Sequence, residues 1–200
     1  MRGPYLATQR TPQSSGGRLL PAAGRLWPRL SSELRLEDQR YGLVTLHRPS
    51  NVDDPAMLAK IMETLGEVSH ELPIVFPIHP RTRERIASYD IKTRENGSMQ
   101  LTDPIGYLDF LCLQQRAKIV ITDSGGIQEE TTYLGVPCLT VRENTERPVT
   151  VEVGTNTLVG RNMQMLAEET RRLLDGKECK GAIPPLWDGK AAERIAAVVA

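Results

Sequence analysis

The sequence predicts an α/β domain: a Rossmann-like parallel sheet with helices on both faces. From Tyr41 onward, short apolar runs alternate with segments of helical periodicity, and this alternation is typical of successive β-α units. A length of 200 residues with a hydrophobic content of 40% allows one sizeable core but not two complete enzyme domains. We therefore expect a single ordered domain.

The predicted strands are short and largely apolar. They cover residues 41–46, 74–78, 99–102, 118–122, 138–141 and 157–159. The first predicted helix begins at about Pro55, a residue suited to a first helical turn, with Asp53 or Asp54 as its cap. It extends to about Val68, the last residue of its apolar stripe. Further helices are predicted at 81–89, 107–116, 127–134, 163–174 and 190–199.

Residues 1–36 differ from the rest in composition. Gly, Pro, Ser, Ala and Arg dominate, and no acidic residue precedes Glu33. Such a composition is typical of disorder, so we expect residues 1–36 to be a disordered or irregular leader and residues 37–200 to form the ordered domain. An organelle transit peptide is an alternative interpretation of this Arg-rich start.

The composition argues against several kinds of partner and site. Lys plus Arg and Asp plus Glu both total 25, so no net field draws the chain to nucleic acid or to an anionic membrane. Cys112, Cys138 and Cys179 are far apart, which argues against a disulfide framework and a zinc site. No apolar run approaches the roughly 20 residues of a membrane span. We expect a cytoplasmic protein that uses no metal or cofactor.

Polar side chains directly follow several of the predicted strands. The segments concerned are 47–51, 79–81, 123–126 and 142–147. In an open parallel sheet, ligands bind outside the carboxyl ends of the strands. We therefore expect these four segments to gather along one edge and to form the binding site.

The segment TDSGGIQEE gives the most specific signal. A strand ends at Thr122, and Gly125 and Gly126 let the backbone turn into a helix whose first N–H groups favour a phosphate. We interpret this turn as a diphosphate cradle, to which Ser124 adds a hydroxyl donor. Glu130, further along the helix, is placed to accept hydrogen bonds from a ribose diol. The alternative is an ordinary tight turn with Ser124 as the helix cap.

Four further side chains could complete such a site. Arg147, in a loop restrained by Pro148, offers a guanidinium to phosphate oxygens, although such loops are more often solvated and salt-bridged. His47 and His79 follow strands and could donate to phosphate or move a proton, whereas a lone strand-end histidine is usually structural. Phe110 could stack on a base or be a core aromatic.

Several segments, in this order and spacing, closely resemble the non-hydrolysing UDP-N-acetylglucosamine 2-epimerases. They are TLHRPSNVD, IHPRT, DPIGYLDFL, ITDSGGIQEE, RENTERP and VGTNTLVG. The resemblance runs from about Tyr41 to the final helix. It implies a two-domain architecture like that of the B-type glycosyltransferases (GT-B), with the active site between two Rossmann-like halves. This chain looks like the C-terminal, UDP-sugar-binding half.

The resemblance also implies which residues would hold the nucleotide. The uracil would lie beside Phe110 and the segment around Ile105. Some members have Gln where Ile105 stands, so the side-chain contact to uracil would be absent here, and a contact through the backbone could take its place. The diphosphate would be held by Ser124, Gly125, Gly126, Arg147 and His47. Glu130 would take the ribose hydroxyls.

Two further roles come from the loops after the first two strands. His47 matches the family histidine that assists departure and return of UDP, so it would be the catalytic residue of this half. Arg48 and His79 match residues that, in some bacterial members, contact a second UDP-N-acetylglucosamine acting as an effector. The Arg48-Pro49-Ser50-Asn51 variant of this loop differs from that of those members, so the sequence does not decide whether the effector site exists here.

The resemblance implies an isomerase reaction of polysaccharide biosynthesis that converts UDP-N-acetylglucosamine to UDP-N-acetylmannosamine. UDP is eliminated across C1 and C2 and added back with C2 inverted, which requires positioned acid and base groups. The family's catalytic carboxylates belong to the N-terminal half. We therefore expect this chain to bind UDP or UDP-N-acetylglucosamine with little epimerase activity of its own, and to need an N-terminal domain or a second copy as partner.

Two other functions stay open at this point. The donor-binding half of a GT-B glycosyltransferase would use the same nucleotide site, and a regulatory module would bind a UDP-sugar without catalysis. The segment 123–126 also resembles a serine protease motif superficially. The surrounding strand, turn and helix argue against that interpretation, because the protease motif belongs to an all-β setting.

Overall fold

A parallel six-stranded sheet organises the computed structural model, which describes residues 21–93, 98–177 and 181–199. The strands are β1 (Gly42–Thr45), β2 (Ile74–Pro77), β3 (Met99–Thr102), β4 (Ile119–Thr122), β5 (Cys138–Thr140) and β6 (Asn156–Leu158). Their order is β3-β2-β1-β4-β5-β6, and all neighbouring pairs are parallel. This is the doubly wound Rossmann order, so the predicted fold class is confirmed.

Helices connect the strands and flank the sheet. Within the described ranges they are α1 (Pro21–Glu33), α2 (Pro49–Val52), α3 (Pro55–Val68), α4 (Pro80–Ser88), α5 (Tyr107–Arg116), α6 (Gly125–Leu134), α7 (Pro148–Glu152), α8 (Met163–Leu174) and α9 (Ala191–Val199). None of these helices combines the length and the apolar character that crossing a membrane requires.

Most predicted elements agree with the observed ones. The strand at 99–102 and the helices at 107–116 and 163–174 coincide with β3, α5 and α8. Asp54 is the N-cap of α3 and accepts hydrogen bonds from two backbone amides of its first turn. The sequence did not predict α2 and α7, because a helix of four or five residues is too short to show a periodic pattern.

Successive strand residues pack on opposite faces of the sheet, as a period of two requires. Val44 of β1 belongs to one buried cluster, together with Ile61 of α3. Its neighbour Leu43 belongs to a second cluster, together with Leu113 of α5. The pair α3 and α8 packs together, as does the pair α1 and α5. Helices therefore cover both faces, as predicted.

Residues 21–36 depart from the expected irregular leader. Residues 21–33 form α1, which packs against α5, and Leu30 is buried in the second apolar cluster. Leu26 and Trp27 pack against the same cluster, so these side chains form one helical face. The Gly, Pro and Arg residues around them obscured this face in the sequence. The ordered domain thus begins before residue 37, while residues 1–20 lie outside the described residues.

The order of the strands reverses between β1 and β4. From β1 the chain continues outward to β2 and β3 on one side, and from β4 to β5 and β6 on the other. Thr45 and Thr122 are register partners, so both strands end at the same level. Ligands bind in the crevice at such a switch point. The residues that enter this crevice are those after Leu46 and after Thr122.

Candidate functional site

A buried carboxylate, Asp123, joins the loops that follow β1 and β4. Its side chain is 0% exposed. It accepts hydrogen bonds from the backbone amides of His47 (3.1 Å) and Arg48 (2.9 Å) and from the side-chain amide of Asn51 (3.0 Å). Asn51 also donates to the carbonyl of Val141, after β5, at 3.0 Å. The loops after β1, β4 and β5 are therefore held as one unit.

The first turn of α6 is open to a ligand. Ser124 is its N-cap residue, yet the hydroxyl makes no cap hydrogen bond. The amide of Ser124 donates to Oγ1 of Thr122 at 3.0 Å. A Cβ added at Gly126 would meet no atom of the described residues within 4 Å apart from its chain neighbours and its own helix backbone, so the backbone is accessible on this side. The first N–H groups of α6 and the positive end of its dipole favour an anion at such a helix start.

A second carboxylate, Glu146, lies beside this turn. Its Oε2 is 3.7 Å from the position that a Cβ would take on Gly125. Arg142 donates to both oxygens of Glu146, at 2.6 and 2.8 Å, and Nη2 of Arg48 lies 3.8 Å from Oε1. The hydrogen bond from Arg142 is the main reason why the pKa of Glu146 falls to about 2. Glu146 is therefore charged near neutral pH.

Arg147, the predicted phosphate ligand, lies at the start of α7. Its Nε is 2.8 Å from Oε1 of Glu129 on α6, and its side chain is 46% exposed. The two charges form an exposed ion pair of the kind that contributes little to stability. A diphosphate beside α6 could therefore draw the guanidinium away from Glu129 at small cost.

His47 and His79 lie next to each other at the ends of β1 and β2. Their ring centroids are 6.0 Å apart and the rings are tilted by 37°. His79 is also the N-cap of α4, where its Nδ1 accepts the amide of Arg81 at 3.2 Å. The two strand-end histidines therefore meet at one edge, as expected, and His79 has a structural role in addition.

Glu130 lies further along α6, at an open groove of about 420 Å³. The groove is lined by Tyr107, Leu111, Glu129, Glu130, Tyr133, Leu134, Trp187 and Gly189. The hydroxyl of Tyr107 donates to Oε1 of Glu130 at 3.3 Å, and the charge of Glu130 raises the pKa of Tyr107. Oε2 of Glu130 is buried and has no hydrogen-bond partner among the described residues. Glu130 therefore has an unused acceptor, which a ligand hydroxyl would reach once the side chain turned toward the groove.

Ile105 and Phe110, predicted beside the uracil, are partly buried and pack against the second apolar cluster. Both residues therefore contact the core and keep part of their surface exposed. Phe110 lies in the first turn of α5, where its amide donates to the carbonyl of Gly106 at 2.9 Å.

Sequence reasoning gave no role to several residues that organise this edge. The role of Asp123 could have been predicted, because an acidic residue directly after the buried strand IVIT needs hydrogen-bond donors around its carboxylate. The roles of Glu146 and Tyr107 could not have been predicted, because each contacts a residue that is distant in the sequence. Glu146 lies beside Gly125, and Tyr107 donates to Glu130. Among the described residues, no three His, Cys, Asp or Glu side chains come together as a metal site would require.

An uncapped helix start at the switch point of a sheet in this order is where Rossmann-like domains bind the phosphates of nucleotides. By its fold and by the chemistry of this edge, the chain falls in the class of Rossmann-like nucleotide-binding domains.

Comparison with known proteins narrows this class. The sequence profile of the family described as UDP-N-acetylglucosamine 2-epimerase matches residues 21–200. The UDP-N-acetylglucosamine 2-epimerase of Methanocaldococcus jannaschii is 42% identical over 166 residues, which are 81% of this chain and 45% of that protein. The UDP-2,3-diacetamido-2,3-dideoxy-D-glucuronate 2-epimerase of Pseudomonas aeruginosa is 40% identical over 174 residues, which are 86% and 48%.

A solved structure of one of these relatives is also similar to this chain in fold. The crystal structure of the Methanocaldococcus jannaschii enzyme in complex with UDP-GlcNAc and UDP superposes with a TM-score of 0.74 at 39% identity, covering 86% of this chain and 48% of that one. The chain belongs to the UDP-N-acetylglucosamine 2-epimerase family. It spans about half the length of these relatives, and its sheet is the Rossmann-like half of a GT-B-like architecture.

Proposed function

We propose that this chain binds UDP and UDP-N-acetylglucosamine, as the nucleotide-binding half of a UDP-N-acetylglucosamine 2-epimerase. The observation that carries the proposal is the open first turn of α6 at the switch point. Ser124 leaves it uncapped and Gly126 leaves the backbone accessible. A pyrophosphate fits the N–H groups and the dipole there.

The other predicted residues have positions that suit the rest of such a ligand. Arg147 is close enough to α6 to pair with Glu129, and could turn to a phosphate oxygen. The carboxylate of Glu130, which lines a groove and has one oxygen without a donor, would turn to accept a ribose hydroxyl. The segment from Ile105 to Phe110, at the start of α5, would border the uracil. Arg48 and His79 are proposed to meet a second nucleotide sugar.

His47 is proposed as the catalytic residue of this half. Its ring is 42% exposed at the end of β1 and lies on the edge that carries the cradle. It could donate to the diphosphate as UDP leaves the sugar and accept the proton as UDP returns. Inversion at C2 needs further acid and base groups, which we propose come from an N-terminal domain or from a second copy of the chain. We expect little epimerase activity from this chain alone.

We also propose that the protein acts in the cytoplasm, since its odd number of widely spaced cysteines suits a reducing compartment.

Calorimetric titration with UDP tests the binding proposal. The unaltered chain should bind UDP, and Arg147→Ala should weaken binding about tenfold to a hundredfold, the value of a charge-assisted hydrogen bond. Arg171→Ala is the matched control, because Arg171 is equally exposed and forms an ion pair with Glu71. Absence of UDP binding would refute the function, and unchanged affinity in Arg147→Ala would remove that residue from the site.

A further inference from the structure

Asp123 lies close enough to the ring of His47 to determine which ring nitrogen carries the hydrogen. Nδ1 of His47 is 3.2 Å from Oδ1 of Asp123. The other contacts of this buried carboxylate are with N–H donors, so it acts as an acceptor. At this distance a lone pair on Nδ1 would repel the charged oxygen, whereas a hydrogen on Nδ1 is attracted to it. Nδ1 therefore carries the hydrogen, and the lone pair of the neutral ring is on Nε2.

The neighbouring histidine has the opposite arrangement. Nδ1 of His79 accepts the amide of Arg81 at 3.2 Å, so the hydrogen of the neutral ring is on Nε2. With ring centroids 6.0 Å apart, the two histidines present Nε2 atoms of opposite character at one edge of the sheet. Nε2 of His47 accepts, and Nε2 of His79 donates.

We propose that Asp123 is a positioning residue for His47: it holds the ring with hydrogen on Nδ1, so that Nε2 is the nitrogen that takes up a proton and gives it back beside the cradle. This rests on the proposed function, because Nε2, once protonated, would donate to the diphosphate of a UDP-sugar. Histidine favours the opposite tautomer in water, so the protein has to impose this one. An Asp-His pair has the same use in serine proteases, where the carboxylate orients the imidazole and stabilises its cation.

The position of Asp123 in the chain adds to this role. It directly precedes Ser124, the N-cap of α6, and it accepts the backbone amides of both His47 and Arg48. One side chain therefore fixes the loop that carries His47, the orientation of the ring and the distance of that ring from the cradle.

The ¹⁵N spectrum of the histidine rings tests the proposal in the unaltered protein. At a pH where the rings are neutral, the spectrum should show hydrogen on Nδ1 of His47 and on Nε2 of His79. His79 is thus an internal control, and His47→Gln and His79→Gln assign the signals. Hydrogen on Nε2 of His47 would overturn the proposal.

A mutant cycle measures whether Asp123 acts through His47. We expect Asp123→Asn and His47→Gln each to weaken UDP binding about tenfold, and the double variant to bind no more weakly than either, because residues that act as one unit are not additive. A purely structural role would give losses that multiply to about a hundredfold. Asp38→Asn is the control, since Asp38 is exposed, pairs with Arg116 and lies before β1, at the opposite edge of the sheet from the cradle.

The two proposals fail in different ways. If UDP does not bind, the proposed function fails, while the ring spectrum still decides the role of Asp123. If Asp123→Asn does not fold, the spectrum of the unaltered chain remains decisive on its own.

Discussion

The carboxylate of Glu146 lies beside the backbone of Gly125, with Oε2 at 3.7 Å from the point where a Cβ would be. A negative charge is therefore already present next to the turn that we propose binds a diphosphate. Arg142 holds this carboxylate through two hydrogen bonds, and the positive end of the α6 dipole favours it as well. Glu146 thus competes with a diphosphate for Arg142 and for the positive end of the α6 dipole.

Removing this charge should strengthen UDP binding. In Glu146→Gln the repulsion of the diphosphate is lost and Arg142 becomes available to it, so we expect roughly a threefold to tenfold gain in affinity by calorimetry. Glu63→Gln removes the same charge from the exposed side of α3 and should leave the affinity unchanged. Equal or weaker binding in Glu146→Gln would show that the carboxylate does not oppose the ligand.

The same ion pair should make stability depend on pH in acid. The pKa of Glu146 is about 2 in the folded chain and 4.5 ordinarily. A lowered pKa gives stability that is fully present above the ordinary value and is lost as the pH falls from there toward 2. Denaturant unfolding across this window should show a smaller loss in Glu146→Gln than in the unaltered chain. Identical pH profiles would contradict the assignment of that shift to this pair.

Two glycines near the site should respond to alanine in opposite ways. Gly126 has open space around it, so Gly126→Ala should leave the free energy of unfolding unchanged or raise it by up to about 1 kcal/mol. The added methyl group would obstruct the diphosphate, so UDP affinity should fall roughly tenfold. In Gly154→Ala the new Cβ would lie 2.6 Å from the carbonyl of Thr150, and the chain should lose about 1–3 kcal/mol of stability. Equal UDP affinity in Gly126→Ala would place the ligand elsewhere.

Glu130 should determine how strongly the affinity for UDP depends on the ribose hydroxyls of the nucleotide. Its carboxylate, turned toward the groove, would accept a ribose hydroxyl, so Glu130→Ala should weaken UDP binding about tenfold and 2′-deoxy-UDP binding by less. Glu168→Ala, on the exposed side of α8, is the control for loss of an acidic side chain. If both nucleotides lose affinity equally, Glu130 does not read the 2′-hydroxyl.

The fold could be predicted from the sequence because buried parallel strands read as continuous apolar runs. The run IVIT of β4, ending before Asp123, is of this kind. The αL residue Gly135, with φ of 74°, likewise marks the end of α6 where the sequence placed it. The prediction failed for α1, because the overall composition of residues 21–33 outweighed a single apolar face carried by a few side chains.

The candidate site could be predicted only in part. Residues that follow strands are placed by the topology of the sheet, so the meeting of His47 and His79 followed from the sequence. The side-chain partners do not follow from topology. Glu146 reaches Gly125 only because its loop folds back over α6, and no local pattern in RENTERP indicates that contact.

The most direct test follows the backbone amides of Gly125 and Gly126 by NMR while UDP is added. We expect large shifts of both resonances with UDP, similar shifts with pyrophosphate and small ones with uridine, because the phosphates and not the base meet these N–H groups. If UDP binds while both amides stay unshifted, the first turn of α6 does not hold the diphosphate, and the proposed site is wrong.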